Sequence, residues 1–364
     1  MEIFFKKVNK ERIGWVDIYK GICIMLMVSG HAGSPLNTYI YLFHMPAFML
    51  LSGYTYNGSN YRYIEYIKHK LISFIVPFCI INILYILFYV ILQYLGLYHY
   101  LQVGIPIDFF LRIKYFFLNM STPDFAGATW FILVLFTIEV IFESISRLCK
   151  MISNEKNNVI LALTVGLLGW LFINKKIILP YLIDLSMYGC IFYSLGVLLR
   201  RYNILESKID HKLMIIFSSL LTVFFGSFYF FNELPMNWPT RSFSPILIQI
   251  ISFVSAAYLC YLLSKIVEKL TLFNKLFTFI GKSTYTILIM HFFIFRIIFL
   301  ILVLFKVLPI SYLQQLTPSY SIYPGWILLT IITVICCLCI SKISEKNTIL
   351  NYIFNAKIKR RNNE

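Results

Sequence analysis

Hydrophobic residues along this chain gather in long blocks, and the charged positions fall between them. A helix that crosses a bilayer needs about 20 mostly apolar residues. Ten runs approach that length, at 14–33, 39–56, 71–95, 129–147, 158–174, 177–199, 213–231, 244–264, 283–305 and 324–341. The pattern predicts an all-α polytopic membrane protein of about ten transmembrane helices. The segment 105–120 is aromatic and partly basic, which predicts an interfacial or re-entrant piece and not a span. The first run carries Asp17 and Lys20 and lacks a small-residue cleavage site, so it does not read as a signal peptide. No repeat period or appended soluble domain is visible. The expected organisation is a cytoplasmic segment over 1–13, one transmembrane domain over 14–341 and a basic cytoplasmic tail over 342–364.

Composition removes the soluble alternative. Hydrophobic residues make up 59% of the 364 and charged residues 13%, against roughly 45–50% and about 25% in soluble domains. A soluble fold of this size would lack the polar surface to cover its core, and a disordered chain needs low hydrophobicity. The net charge of +16 could point to nucleic acid, but its distribution points to membrane orientation. With the N-terminus inside, 24 of the 32 Lys and Arg residues fall on one side, six fall on the other, and Lys20 and Arg296 lie within runs. Cytoplasmic loops carry such an excess. Both termini are therefore expected in the cytoplasm, which requires an even number of spans in the cell membrane. The eight cysteines are scattered, and Cys336 and Cys339 stand without a partner pair. Neither a zinc site nor a disulfide framework is expected.

A charge at the centre of a membrane helix costs about 2.5–3.5 kcal/mol on insertion scales, so each needs a reason. In the first run, Asp17 and Lys20 are three residues apart, and His31 follows Lys20 by eleven, close to three helical turns. The three share a helix face, with the acid–base pair towards the cytoplasmic end and the histidine towards the outer end. Only a short loop separates His31 from His44 at the start of the second run, so the two histidines lie at similar depth and suit proton transfer. An Asp17–Lys20 anchor with an interfacial histidine explains the same spacing. Glu139 and Arg296 lie within runs and are expected to pair. Asp184 stands near the outer end of its run, where it meets either solvent or a sugar hydroxyl. Tyr54, Trp130 and Trp238 have rings that suit a sugar.

The stretch Asp17-x-x-Lys20-Gly21 … Gly30-His31, followed by Phe43-His44-Met45-Pro46-x-Phe48-x-x-x-Ser52-Gly53-Tyr54, resembles the start of the acyltransferase family 3 membrane proteins, most closely their fucose 4-O-acetylase-like branch. Thr129-Trp130-Phe131-Ile132 resembles a block of that family opening a middle helix. Ile280-Gly281-Lys282-Ser283-Thr284-Tyr285-Thr286-Ile287-Leu288-Ile289-Met290-His291 resembles a late one, with the tyrosine near the histidine displaced.

The resemblance implies a ten-span enzyme moving an acyl group, usually acetyl, from acyl-CoA to a carbohydrate hydroxyl. It links the pair Lys20 and His31 to activity; Asp17, which shares their helix face, and His44, at the depth of His31, complete the candidate catalytic set. It places Lys68 and Lys70, where relatives carry Arg-x-Arg, at the acetyl-CoA donor; lysine binds phosphate as a point charge without the bidentate fork. Asp184, Trp130 and His291 are the candidates for substrate contact. The expected partners are acyl-CoA, a carbohydrate or lipid-linked glycan and the bilayer, with no nucleic acid and no metal. A transporter or flippase, or a polymerase of lipid-linked glycans, is the competing reading. Transporters of this kind show paired, broken repeats, and a polymerase would carry a larger outer loop.

Overall fold

The computed structural model describes residues 13–58, 61–101, 108–120, 122–152, 157–206, 211–231, 236–318 and 325–357. The expected N-terminal segment, apart from residue 13, and residues 358–364 of the tail lie outside the described residues. Helices follow one another as α1 (Gly14–His31), α2 (Asn37–Tyr41), α3 (His44–Tyr54), α4 (Tyr63–Lys70), α5 (Val76–Tyr94), α6 (Tyr98–Leu101), α7 (Phe109–Asn119) and α8 (Trp130–Met151). After them come α9 (Asn158–Asn174), α10 (Ile183–Arg201), α11 (His211–Phe231), α12 (Ile246–Lys269), α13 (Thr271–Lys282), α14 (Thr284–Leu304), α15 (Trp326–Ser344) and α16 (Thr348–Asn355). A minimal antiparallel hairpin, β1 (Met236–Asn237) with β2 (Ser242–Phe243), pairs Met236 with Phe243 and interrupts the helical pattern between α11 and α12.

Every apolar run holds a helix, but the helices are not equivalent. Among the described residues, six are long and apolar enough to cross a membrane, including the continuous Tyr63–Tyr94 helix in which a π-helical turn, Leu71–Ile75, joins α4 to α5. The α9 helix has 17 residues, and α1 and α8 carry charged residues along their length. The second run is broken. Its main helix, α3, has 11 residues, about 16 Å at 1.5 Å per residue, and most of it is buried against α1 and α10. The segment expected to be interfacial forms α7, also 11 residues, which lays Phe116 against Phe78 of α5 and leaves Phe110 and Phe117 exposed.

Close helix packing in a bilayer favours small residues at the crossing. Two such crossings set the centre of the bundle. Gly53 of α3 and Gly196 of α10 face each other so closely that a Cβ on either would overlap the backbone carbonyl of Tyr193 or Leu50. Gly21 of α1 and Gly281 of α13 meet in the same way, against the carbonyls of Phe277 and Asp17. Buried hydroxyls add cross-links. Tyr19 Oη donates to the Ala257 carbonyl at 2.8 Å, and Tyr85 Oη to that of Ile289 at 2.8 Å. At the rim of the bundle, α11 leaves Leu213, Phe217, Leu220 and Phe224 exposed, as a lipid-facing helix does.

Two sequence expectations fail here. Glu139 and Arg296 do not pair. Glu139 accepts from Ser52 Oγ at 2.6 Å and forms an ion pair with Lys70, while Arg296 Nη1 donates to the Leu313 carbonyl. The reason is depth. Trp130 of α8 and His291 of α14 stand at the same end of the bundle, but the helices run in opposite directions. Going on to Glu139 leads away from that end, and going on to Arg296 leads past it. Asp184 is not a solvated helix end either. It is fully buried, and both its oxygens accept from Arg241, at 2.5 and 3.2 Å.

The region expected as a tail is also folded in part. Asn347 caps α16 by accepting from the amides of Ile349 and Leu350. Asn355 Oδ1 then accepts from Thr286 Oγ1 at 2.8 Å and from Ser341 Oγ at 2.6 Å, which docks α16 on α14 and α15.

Candidate active site

One face of α1 runs along two cavities. Asp17, Lys20, Ile24 and Met27 line a cavity of about 360 Å³, called inner after the orientation expected from the loop charges, and Met27 and His31 line one of about 310 Å³, called outer on the same basis. Asp17, Lys20 and His31 thus share a face, as their spacing predicts. Met27, Met45 and Leu288 belong to the walls of both cavities and separate them. The cavities follow the seam between two apolar cores, where Phe48 and Leu288 touch both.

The outer cavity is the histidine end. His31 and His44 both line it, together with Tyr41, whose ring lies between theirs at 6.0 Å from His31 and 5.2 Å from His44. His31 Nδ1 is 3.3 Å from Tyr41 Oη. His44 is buried, with Nδ1 2.8 Å from the Ile40 carbonyl. His291 is fully buried and its ring stacks on His31 at 5.4 Å and 27°. Its Nδ1 lies 2.9 Å from the Ile287 carbonyl and 3.0 Å from that of Leu288. A carbonyl only accepts, so Nδ1 carries the proton in His44 and His291, and Nε2 keeps its lone pair. His291 Nε2 is buried with no hydrogen-bond partner among the described residues. The sequence suggested two histidines at one depth; the fold adds a third ring in direct contact with the first.

Aromatic residues complete the outer walls. Trp130 stands at the start of α8 beside Gly127 and Ala128. Trp238 and Pro239 come from the tip of the hairpin. Trp238 is buried, and its indole stacks on Tyr188 at 5.2 Å. Asp184 lines neither cavity. Its bidentate pair with Arg241 ties the hairpin to the start of α10 and so holds Trp238 in the wall. Nothing in the sequence pattern marked that hairpin, because its strands are two residues long.

The inner cavity is the charged end. Ser52, Ser73 and Phe74 line it along with Asp17, Lys20 and Lys282. Lys70 is not in its wall, but its Nζ lies 5.4 Å from the ring centre of Phe74, which is, and is held by Glu139. Lys68 is exposed on a different side of the same helix, as two residues in α-helical phase must be. Glu143 of α8 extends the polar region by pairing with Arg147 and accepting from Tyr56 Oη. Among the described residues, no group of three His, Cys, Asp or Glu side chains is disposed to hold a metal ion.

Two neighbouring cavities, each with titratable groups in its wall and separated by Met27, Met45 and Leu288, suit transfer of a small group between two molecules that approach separately. Comparison with known proteins bears on which group. No curated protein and no solved structure matches the chain. The acyltransferase family 3 model, an acyltransferase domain, matches residues 13–342, and the chain belongs to that family.

Proposed function

We propose that this protein is a membrane O-acyltransferase that moves an acetyl or other short acyl group from acyl-CoA to a hydroxyl of a cell-envelope or capsular carbohydrate, free or lipid-linked. The observation that carries this reading is the placing of His31 in one cavity and Lys20 in the next, on one face of α1. The donor arrives from the cytoplasm at the inner cavity, drawn by the basic residues of that side, Lys68 and Lys70 among them. Its slim acyl-bearing arm reaches past Met27, Met45 and Leu288. The acceptor occupies the outer cavity against Trp130 and Trp238.

A hydroxyl is a poor nucleophile until a base removes its proton. His31 is that base. With Nδ1–H turned to Tyr41 Oη, Nε2 is the basic nitrogen. It takes the hydroxyl proton as the oxygen attacks the thioester carbonyl; the C–O bond forms, the C–S bond breaks, and the departing thiolate receives the proton from His31. His44 and His291, each with a fixed tautomer, shape the pocket around the ring. Asp17 and Lys20 set the charge of the donor side. Radiolabelled acetyl-CoA given to the purified protein with glycan acceptors tests the reading. Label in an ester-linked glycan, lost in His31→Ala, is the expected result. A wild-type protein that transports a glycan but transfers no acetyl would overturn it.

A further inference from the structure

The wall of the outer cavity is neutral. Among the described residues that line it, none is Asp, Glu, Lys or Arg. Its deep end is apolar, with Met27, Met45, Leu288 and Phe292 in the wall. The exposed wall residues, Asn237 and Pro239 of the hairpin and Thr317, mark its mouth and carry no charge. The six Lys and Arg residues expected on the outer side are Arg112, Lys114, Lys175, Lys176, Arg241 and Lys306. All six are described, and none belongs to that wall. Arg112 Nη2 donates to Tyr98 Oη at 2.7 Å. Arg241 follows closely on Trp238 in the hairpin, but Asp184 holds its guanidinium by two hydrogen bonds. Arg296, about one turn past Phe292 on α14, is buried outside the wall and donates to the Leu313 carbonyl.

We propose that this cavity takes an uncharged sugar residue and turns away acidic ones, such as uronic acids and phosphorylated sugars. The inference rests on the reading of the outer cavity as the acceptor site. A sugar ring has apolar C–H faces that suit Trp130 and Trp238, and its hydroxyls suit the neutral polar groups of Asn237, Thr317 and Tyr41. A carboxylate or phosphate sheds water on entering, and without a cation in the wall nothing offsets that cost. A histidine compensates such a charge only by becoming imidazolium. For His31 that step removes the lone pair which accepts the hydroxyl proton, so an acidic sugar that did enter would silence the base. Asp184 takes part in the selection, because its hold on Arg241 keeps the cation of the hairpin out of the wall.

The test uses nearly isosteric sugar probes, one charged and one neutral: methyl glycosides of hexuronic acids and the matching hexuronamides, in several hexose configurations. The detergent-purified full-length protein is given both. Binding is read by saturation-transfer NMR, which needs no donor, and acetylation is read with radiolabelled acetyl-CoA. The uronamides are expected to bind, and to be acetylated, at least about tenfold better than the uronates. Thr317→Lys places a cation at the mouth and should narrow that gap about tenfold. Pro239→Lys does the same from the hairpin, and it decides should the first variant fail to insert. Uronates that bind and accept acetyl as well as the uronamides overturn this inference alone, as does a gap that neither lysine narrows. Selective binding of the uronamides with no acetyl transferred supports this inference and overturns the function proposed above. A protein that neither binds nor acetylates any probe overturns both.

Discussion

His31 and His291 stack ring on ring, 5.4 Å apart, although 260 residues separate them in the chain. His291 is tied by Nδ1 to two carbonyls of its own helix, so its ring position is set by α14. Among the described residues, His31 Nδ1 meets a single partner, Tyr41 Oη. A fixed ring beside a less constrained one is what a positioned base requires. His31→Ala should therefore insert normally and lose acyl transfer by about 10²–10⁴-fold. Tyr41→Phe should lose less, through kcat, because the ring persists without its tautomer partner. Transfer within a few-fold of wild type in His31→Ala would remove His31 from the base role.

The Lys70–Glu139 pair predicts a particular pattern of stability. Glu139 is almost wholly buried, and Lys70 is about one-sixth exposed. Removing one partner of a buried pair typically costs about 3–5 kcal/mol, while replacing both with apolar groups is often neutral. Exposure of Lys70 places this pair at the lower end of that range. Glu139→Gln and Lys70→Met should each lower the unfolding temperature of the detergent-purified protein. The double variant should recover most of the loss. Additive losses would show that the two side chains do not depend on each other.

Gly21 and Gly281 should tolerate no side chain. An added methyl at either meets backbone, which cannot rotate away as a side chain end can. Overpacking of this kind costs about 1–3 kcal/mol. Separation of α1 from α13 also moves Lys20 relative to Lys282. Gly281→Ala is expected to reduce both the yield of folded protein and acetyl-CoA affinity. Gly96→Ala is the comparison. It has φ +71 but nothing within 4 Å of its added Cβ, so it should cost only local strain and leave affinity intact.

Charge distribution predicts the topology. A reporter fused after Glu364 should read cytoplasmic, and one placed between Asn237 and Ser242 should read external. An external C-terminus would mean an odd number of crossings. The 11-residue α3 is where the count is most open, since it spans only about half a hydrocarbon core.

Acetyl-CoA binding should fall steeply with ionic strength if solvated cations at the inner mouth receive it, because salt screens exposed charges. The affinity measured across a salt series in the wild-type protein checks this separately from any single side chain.

Much of this molecule is readable from residue order, because the bilayer permits so few solutions. Every long apolar run holds a helix, since a backbone in hydrocarbon must bond to itself. The shared face of Asp17, Lys20 and His31 followed from helical period alone, because all three lie on one uninterrupted helix. What lay beyond reach were relationships between helices. Glu139 and Arg296 looked like partners because both fall within runs, but helix direction and start point put them at different depths, and Lys70 took Glu139. His291 looked like a separate late motif until α14 brought it onto His31. Asp184 became the anchor of a hairpin too short to leave a sequence signal, and a region that reads as a basic tail docks by one short helix beside the inner cavity. Hydrophobic pattern determines which segments enter the membrane, since that is a property of each segment and its solvent. Which charges meet, and which cavity they face, depends on contacts between segments hundreds of residues apart, and only the packed bundle decides those.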